Sequence, residues 1–370
     1  MDYARQLAYK QAKAVEVLKP FGHVQPIEGA PKPWEYRCKT HVVFGSRGGE
    51  VITGYYRPFS HALIPADRCR LEHPAASELI RALREIASAL RIRPFDDERM
   101  TGFLRHAVIR TAHKSGQMML TLVTADGPFP RQKEFLGALA ERFPALVTVA
   151  RNINDKRTSR VLGPRTEILA GSGRLEEELS GRRFRLSPDS FFQVNPPVAE
   201  RLYREAAEGL GLSGREVLLD AYCGTGTAGI QAAEKAGRLI GVELNRAAVQ
   251  NARENAALNG LAGAELFAGD AGAFMTGLKQ RGERIDAVIT DPPRSGCSPA
   301  FLRQLAALAP RRIAYISCEP KTLARDLTFL TENGYRAVRM KPFDMFPQSA
   351  GIETVVQLSR GNISGQNVRT

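Results

Sequence analysis

Three segments of this 370-residue chain gather residue types that can do chemistry. In the first, Asp220-Ala221-Tyr222-Cys223-Gly224-Thr225-Gly226-Thr227 joins the apolar run EVLLD (216–220) to the helical pattern AGIQAAEKA. Glycine there lets the main chain approach a bound ligand with no Cβ in the way. Glu243 closes the next apolar run, where a carboxylate can accept from both ribose hydroxyls of an adenosine. Asp270, in Gly269-Asp270-Ala271 after the third run, can accept from an adenine amino group. The second segment, Asp291-Pro292-Pro293-Arg294-Ser295-Gly296, follows the fourth run, and the third, Ser317-Cys318-Glu319-Pro320, follows the fifth. Glu353 stands just before a final apolar strand, TVVQL. A thiol and a carboxylate on one rim supply a nucleophile and a base. Taken in isolation, a cysteine such as Cys318 is more often a buried core thiol and a glutamate such as Glu353 more often a surface charge.

The elements that must position these groups follow from hydrophobic patterning. From about residue 190, short apolar runs alternate with helical stretches: EVLLD, RLIGVEL (238–244), AELFAG (264–269), IDAVIT (285–290) and RIAYIS (312–317). Nearly continuous apolar runs of this length are what parallel strands buried on both faces require. A helix is predicted from Asn195-Pro196-Pro197, with Asn195 as cap, Val198, Leu202, Ala206 and Leu210 on its buried face, and Gly211 at its end. The fold class expected for residues 186–370 is α/β, a doubly wound sheet with ligands at the carboxyl ends of its strands.

Residues 1–185 read as a smaller α+β domain. HVVFGSRGGEVITGYYR (41–57) alternates around a Gly-Gly turn, and a second hairpin is predicted over 104–124, turning at Lys114-Ser115-Gly116. Between them Leu79, Leu83, Ile86 and Leu90 mark one face of a helix. A further helix is expected near 131–143 and a strand near 146–150.

Composition sets the outer bounds. The 43% apolar content supports real cores. No apolar run is long enough to cross a membrane, and the opening residues lack the apolar segment of a secretory signal, so a cytoplasmic, soluble chain with no membrane partner is expected. The 52 Lys and Arg outnumber 39 Asp and Glu, and the first 185 residues carry 31 of the former and 20 of the latter. A basic half beside a near-neutral half suggests that one part meets a polyanion. Cys38, Cys69, Cys223, Cys297 and Cys318 contain no CxxC, and the six histidines show no HxH or HExxH, so no metal site is expected.

DAYCGTGTAGI resembles the first motif of class I S-adenosylmethionine-dependent methyltransferases, with Glu243 and Asp270 at their next two acidic positions. Beside a methyl donor, a cysteine has a specific use: its thiolate can add to carbon 6 of a pyrimidine and make carbon 5 nucleophilic. Enzymes that methylate adenine amino groups prefer an aromatic residue after Asp-Pro-Pro, and Arg294 argues against them. DPPRSG, YISCEPKTLARDL, FPQSAGIETVVQL and DSFFQVNP (189–196) occur in the order and spacing of the RNA uracil-5 methyltransferase family. The resemblance covers nearly the whole chain and implies a class I methyltransferase Rossmann-like sheet preceded by an RNA-binding domain. It implies Cys318 as nucleophile and Glu353 as general base. It also implies that Gln193, Tyr222, Glu243 and Asp291 hold S-adenosylmethionine over the Gly224 turn, with Arg294 and Phe191 near the target base.

The chain departs from the family in three places. Glu319 replaces the usual Asn after the cysteine, and Gly351 stands where a histidine often precedes Ile-Glu; both are expected to alter loop support more than activity. Members acting on 23S ribosomal RNA often add an amino-terminal β-barrel and four cysteines that hold an iron–sulphur cluster. Only Cys69 matches, at the fourth position, so no cluster is expected in this chain, and Met1 reads as either an internal methionine or a native start. The expected partner is RNA, with 23S ribosomal RNA favoured over transfer RNA, and the chain is expected to be a monomer. The alternatives are a transfer RNA enzyme, a cytosine-5 methyltransferase, for which no Pro-Cys motif is present, and a catalytically decayed RNA-binding relative.

Overall fold

The computed structural model describes residues 1–60, 62–158 and 160–361. They form two compact units, one of residues 34–178 with 184–189, the other of residues 1–33 and 179–183 with 190 onward. The division differs from a boundary at 185/186 chiefly because the first 33 residues belong to the carboxyl-terminal unit. Their helix α1 (Tyr3–Leu18) starts at Asp2, whose carboxylate accepts from the Arg5 N–H at 3.1 Å.

In the 34–189 unit, β1 (Lys39–Arg47) and β2 (Glu50–Tyr56) make the expected hairpin. Gly48 and Gly49 sit at φ +61° and +87°, a turn that side chains with a Cβ resist. β3 (Leu63–Pro65), α2 (Pro74–Ala89), β4 (Leu104–Thr111), β5 (Met118–Thr124), α3 (Gln132–Arg142), β6 (Leu146–Ile153) and β7 (Arg165–Gly171) follow. The seven-stranded sheet runs β3-β2-β1-β4-β5-β6-β7. Only β5 and β6 are parallel, joined by α3 as crossover. Leu79, Leu83 and Ile86 of α2 are buried with Leu104, Ile109, Leu120 and Leu122 of the sheet. The chain then forms the hairpin of β8 (Leu175–Leu179) and β9 (Arg182–Leu186). The edge strand β7 has almost no buried side chain, which is why no apolar alternation announced it.

The carboxyl-terminal unit opens with α4 (Pro196–Gly209), whose Val198, Leu202 and Ala206 are buried as expected. Asn195 does not cap it through its side chain; its buried amide instead donates to the Met345 carbonyl at 3.2 Å. Next come β10 (Val217–Ala221), α5 (Thr227–Ala232), β11 (Arg238–Glu243), α6 (Arg246–Leu258), β12 (Glu265–Ala268), α7 (Ala271–Gln280), β13 (Ala287–Thr290) and α8 (Pro299–Leu308). β14 (Arg312–Ser317), α9 (Pro320–Glu332), β15 (Tyr335–Phe343) and β16 (Glu353–Arg360) complete it. The sheet order is β12-β11-β10-β13-β14-β16-β15. The first five strands are parallel, and β16 runs antiparallel to both neighbours. Ala14 and Leu18 of α1 enter the same core as Leu327 and Leu330 of α9 and Met340 of β15, so burial of an apolar helix face holds the amino terminus to this unit. Among the described residues no helix is long and apolar enough to cross a membrane.

Candidate active site

Tyr222, Asp291 and Cys318 each stand one residue past the end of a parallel strand, and Glu243 is the last residue of β11. All therefore lie on the carboxyl rim of the sheet, where a doubly wound fold binds its ligands. Glu353 arrives there by a different route. Because β16 is antiparallel to β14, its first residue lies at the rim, and the last paired residues are Ser317 and Thr354. One step beyond that pair stand Cys318 and Glu353. A parallel β16 would have carried Glu353 to the opposite end of the sheet.

The electrostatics of this pair follow from burial. Glu353 is only 3% exposed, and its Oε2 has no hydrogen-bond partner among the described residues. Burial pushes its carboxyl well above the usual range, the neighbouring Asp291 pushes the same way, and the Arg294 guanidinium opposes both. Burial lifts Asp291 to about 7. Ionisation of either carboxyl therefore disfavours ionisation of the other. Burial, then Glu353 and Asp291, raises the Cys318 thiol to about 11, and Arg294 is the charge that favours its thiolate.

Helix α9 fixes the loop of residues 294–297 and grips the strand that leads to the thiol. Asp326, fully buried, accepts from the Cys297 N–H at 2.8 Å and the Tyr315 hydroxyl at 2.6 Å. Arg325 donates to the carbonyls of Ser295 and Cys297, both at 3.0 Å, and Thr322 donates to that of Arg294 at 3.0 Å. Gly296, at φ +74°, favours glycine: a Cβ would lie 2.7 Å from Oδ2 of the buried, doubly hydrogen-bonded Asp326. Glu319 caps α9 by accepting from the Lys321 N–H at 3.3 Å, so its carboxylate does the work of a polar N-cap. A Cβ on Gly351 would lie 2.8 Å from Cδ2 of Phe346, so the ring occupies the space a histidine there would need.

The glycine turn is built for close approach. Tyr222 adopts φ +68°, a strained value for a non-glycine residue, and its ring packs on Phe301 at 5.1 Å between centroids. Gly224 has φ +54° with open space where a Cβ would point, leaving room for a ligand. Glu243 accepts from the Gly224 N–H at 3.2 Å and the Asn245 N–H at 2.8 Å, and it is half-buried with oxygen lone pairs to spare. Gly229 donates to Asp220 at 2.8 Å, and a Cβ there would lie 2.6 Å from that carboxylate. Asp270, exposed, caps α7 by accepting from the Ala273 N–H at 2.9 Å.

DSFFQVNP lies beside this turn. Asn251 donates to Ser190 at 2.9 Å, and Thr225 donates to the Phe191 carbonyl at 3.5 Å. The Phe191 ring is 64% exposed, whereas Gln193 is buried and hydrogen-bonds the Tyr203 hydroxyl. Tyr203 of α4, which no motif singled out, is buried, and its hydroxyl is raised by burial and by Asp291, Glu353 and Asp220. Its only sequence signal was its place on the buried helix face.

The profile of the tRNA (uracil-5-)-methyltransferase family matches residues 165–361. An uncharacterized RNA methyltransferase of Halalkalibacterium halodurans is 37% identical over 367 residues, spanning 98% of this chain and 80% of the relative. Another, of Caldanaerobacter subterraneus, is 37% identical over 364 residues, spanning 97% and 80%. The Pyrococcus abyssi tRNA (uracil-54, C5)-methyltransferase, solved with S-adenosyl-L-homocysteine, superposes with a TM-score of 0.80 at 26% identity, over 97% of this chain and 84% of that one. Likeness of this extent, reaching from the profile to the backbone, makes the chain a member of the tRNA (uracil-5-)-methyltransferase family, S-adenosylmethionine-dependent enzymes that methylate uracil carbon 5 in RNA.

Proposed function

We propose that this chain methylates carbon 5 of a uridine in 23S ribosomal RNA, with Cys318 as nucleophile and Glu353 as general base. The observation that carries the assignment of roles is the antiparallel β16, which brings a buried carboxyl with a free oxygen beside a thiol at the rim. Gly224, Tyr222, Glu243, Asp270 and Gln193 would hold S-adenosylmethionine, and Asp291 borders both the donor and the target base. When bound, the cofactor supplies the methyl group that carbon 5 takes, and it leaves as a neutral thioether.

The residues of the chain do the rest. Cys318 Sγ, as thiolate, forms a bond to carbon 6, and the displaced electron pair makes carbon 5 the attacking atom. Arg294 favours that thiolate. After methylation the ionised Glu353 takes the hydrogen from carbon 5, the pair of that C–H bond reforms the ring double bond, and the C6–S bond breaks to return the thiolate. The exposed Phe191 offers a stacking face for a splayed base. The basic 34–189 unit grips phosphates without reading sequence.

Cys69, at a position where 23S enzymes carry a cluster ligand, and the DSFFQVNP context support ribosomal RNA. Transfer RNA is the second reading, supported by the backbone likeness to the Pyrococcus abyssi tRNA (uracil-54, C5)-methyltransferase. Nucleoside mass spectrometry on unmodified ribosomal and transfer RNA, incubated with the chain and isotope-labelled S-adenosylmethionine, tests both. Labelled 5-methyluridine in ribosomal RNA is the expected result. Label confined to transfer RNA selects the second reading, and none in either RNA despite bound cofactor overturns both.

A further inference from the structure

The 34–189 unit contains a cavity of about 760 Å³, within the roughly 300–1,000 Å³ typical of small-ligand pockets, and none of the residues assigned so far lines it. His41 of β1 and His106 of β4 contribute two rings whose centroids lie 4.9 Å apart at 60°, and Tyr56 at the end of β2 adds a third. Burial holds both imidazoles neutral: His41 is lowered to about 4, with Lys39 adding to the shift, and His106 to about 3, with His41 and Arg105 adding. The buried Arg105 is already engaged, donating to the carbonyls of Asn154 at 2.5 Å and Lys156 at 3.0 Å and to Asp97 at 2.6 Å. Tyr56 donates to the same Asp97 at 3.1 Å.

The lining therefore sorts by depth. The inner wall is aromatic, with two neutral imidazoles, and its one buried cation, Arg105, is matched by Asp97 at 2.6 Å, which leaves no free positive charge there for a phosphate. The exposed wall carries Arg160, Arg157, whose Nη2 donates to the Glu98 carbonyl at 2.9 Å, and Glu98 itself, and next to the lining residue Ser60 stands Phe59, fully exposed at φ +58°. An uncharged heterocycle inside and a phosphate outside satisfies both walls, and this is how single-stranded RNA is held without base pairing.

We propose that this cavity, which shares no lining residue with the methylation site, is a second RNA site that takes one unpaired nucleobase against His41, His106 and Tyr56 and seats its phosphate on Arg157 and Arg160. The inference rests on the RNA methyltransferase reading, so the probe is an RNA oligomer of alternating C and A, which offers no uracil to Cys318. Fluorescence anisotropy would compare it with an abasic oligomer of equal length and charge. Stacking of one base is worth roughly 5- to 150-fold in affinity. The full-length chain is expected to prefer the base-bearing oligomer by that margin, and His41→Ala to erase the preference. Should His41→Ala fail to fold, Phe59→Ala and Arg160→Ala, both at exposed side chains, are expected to weaken binding by at least about 3-fold with an unchanged melting temperature. Equal affinity for the two oligomers, or folded variants that bind as the parent does, overturns the proposal. Such a result alongside active 5-methyluridine formation sinks the cavity alone; the expected binding with no methylation of any RNA sinks the enzymatic reading alone.

Discussion

Replacing Lys10 with methionine should cost the carboxyl-terminal unit a large part of its stability. Lys10 Nζ lies 2.6 Å from Asp344 Oδ1, with the two side chains 2% and 0% exposed. Asp344 Oδ2 has no other partner among the described residues, and Lys10 also donates to the Phe346 carbonyl at 3.0 Å. Removing one member of a buried ion pair strands the other charge, at about 3–5 kcal/mol. That is comparable with the roughly 5–15 kcal/mol that holds a typical domain together. The loss would be felt at the site, because α1 grips the 344–352 loop that leads to Glu353; Gln6 and Gln348 make a second tie at 2.8 Å. The double variant Lys10→Met/Asp344→Leu should recover most of the loss, since an apolar pair needs no counter-charge. Hydrogen exchange on peptides from β15 and β16 is the suitable assay, because the single tryptophan, Trp34, lies in the other unit. An exchange free energy for Lys10→Met within about 1 kcal/mol of the parent, or a double variant no more protected than the single one, would refute the reasoning.

Cys318→Ala is expected to abolish methyl transfer while S-adenosylmethionine affinity, by calorimetry, stays within a few fold; residual 5-methyluridine formation above background would exclude the thiol as nucleophile. Glu353→Gln should trap a methylated, covalent RNA adduct visible on denaturing gels, and normal turnover without adduct would point to another base. Stability should also depend on pH in a stated direction. Asp220 and Asp291 are both pushed by burial from 3.8 up to about 7, so between those values the native state binds more protons than the unfolded one and stability falls as pH rises. Asp220→Asn keeps an acceptor for Gly229 and should remove part of that fall; denaturation of parent and variant at about pH 4 and about pH 7 checks it against the opposing trend from the depressed His41 and His106, and a variant whose pH dependence equals the parent's contradicts it.

Much of the fold was legible because its signals are local. The Gly48-Gly49 turn, the spacing of Leu79, Leu83 and Ile86, and the five apolar runs of the parallel sheet each follow from backbone geometry and burial of neighbouring side chains. The strand ends that carry Tyr222, Glu243, Asp291 and Cys318 were legible for the same reason, since a parallel strand always delivers its last residue to the ligand-binding rim. β7, with its exposed side chains, carried no such pattern, and Asn195 had the composition of a helix cap yet serves the Met345 carbonyl.

What the sequence by itself determined, then, is which candidate site residues ride on parallel strands, and by motif the family to which the chain belongs. Only the tertiary structure decided that the buried Glu353 shares a rim with Cys318 and Asp291, because strand direction, set by how β16 inserts beside β14, is not encoded in its own apolar run. The same holds for α1, whose Lys10 meets Asp344 from more than 300 positions away, and for Asp326, whose carboxylate ties the loop at Cys297 to Tyr315 of β14. Burial turns each of these charges from a solvated surface group into one that needs a specific partner, and burial is a property of the assembled core.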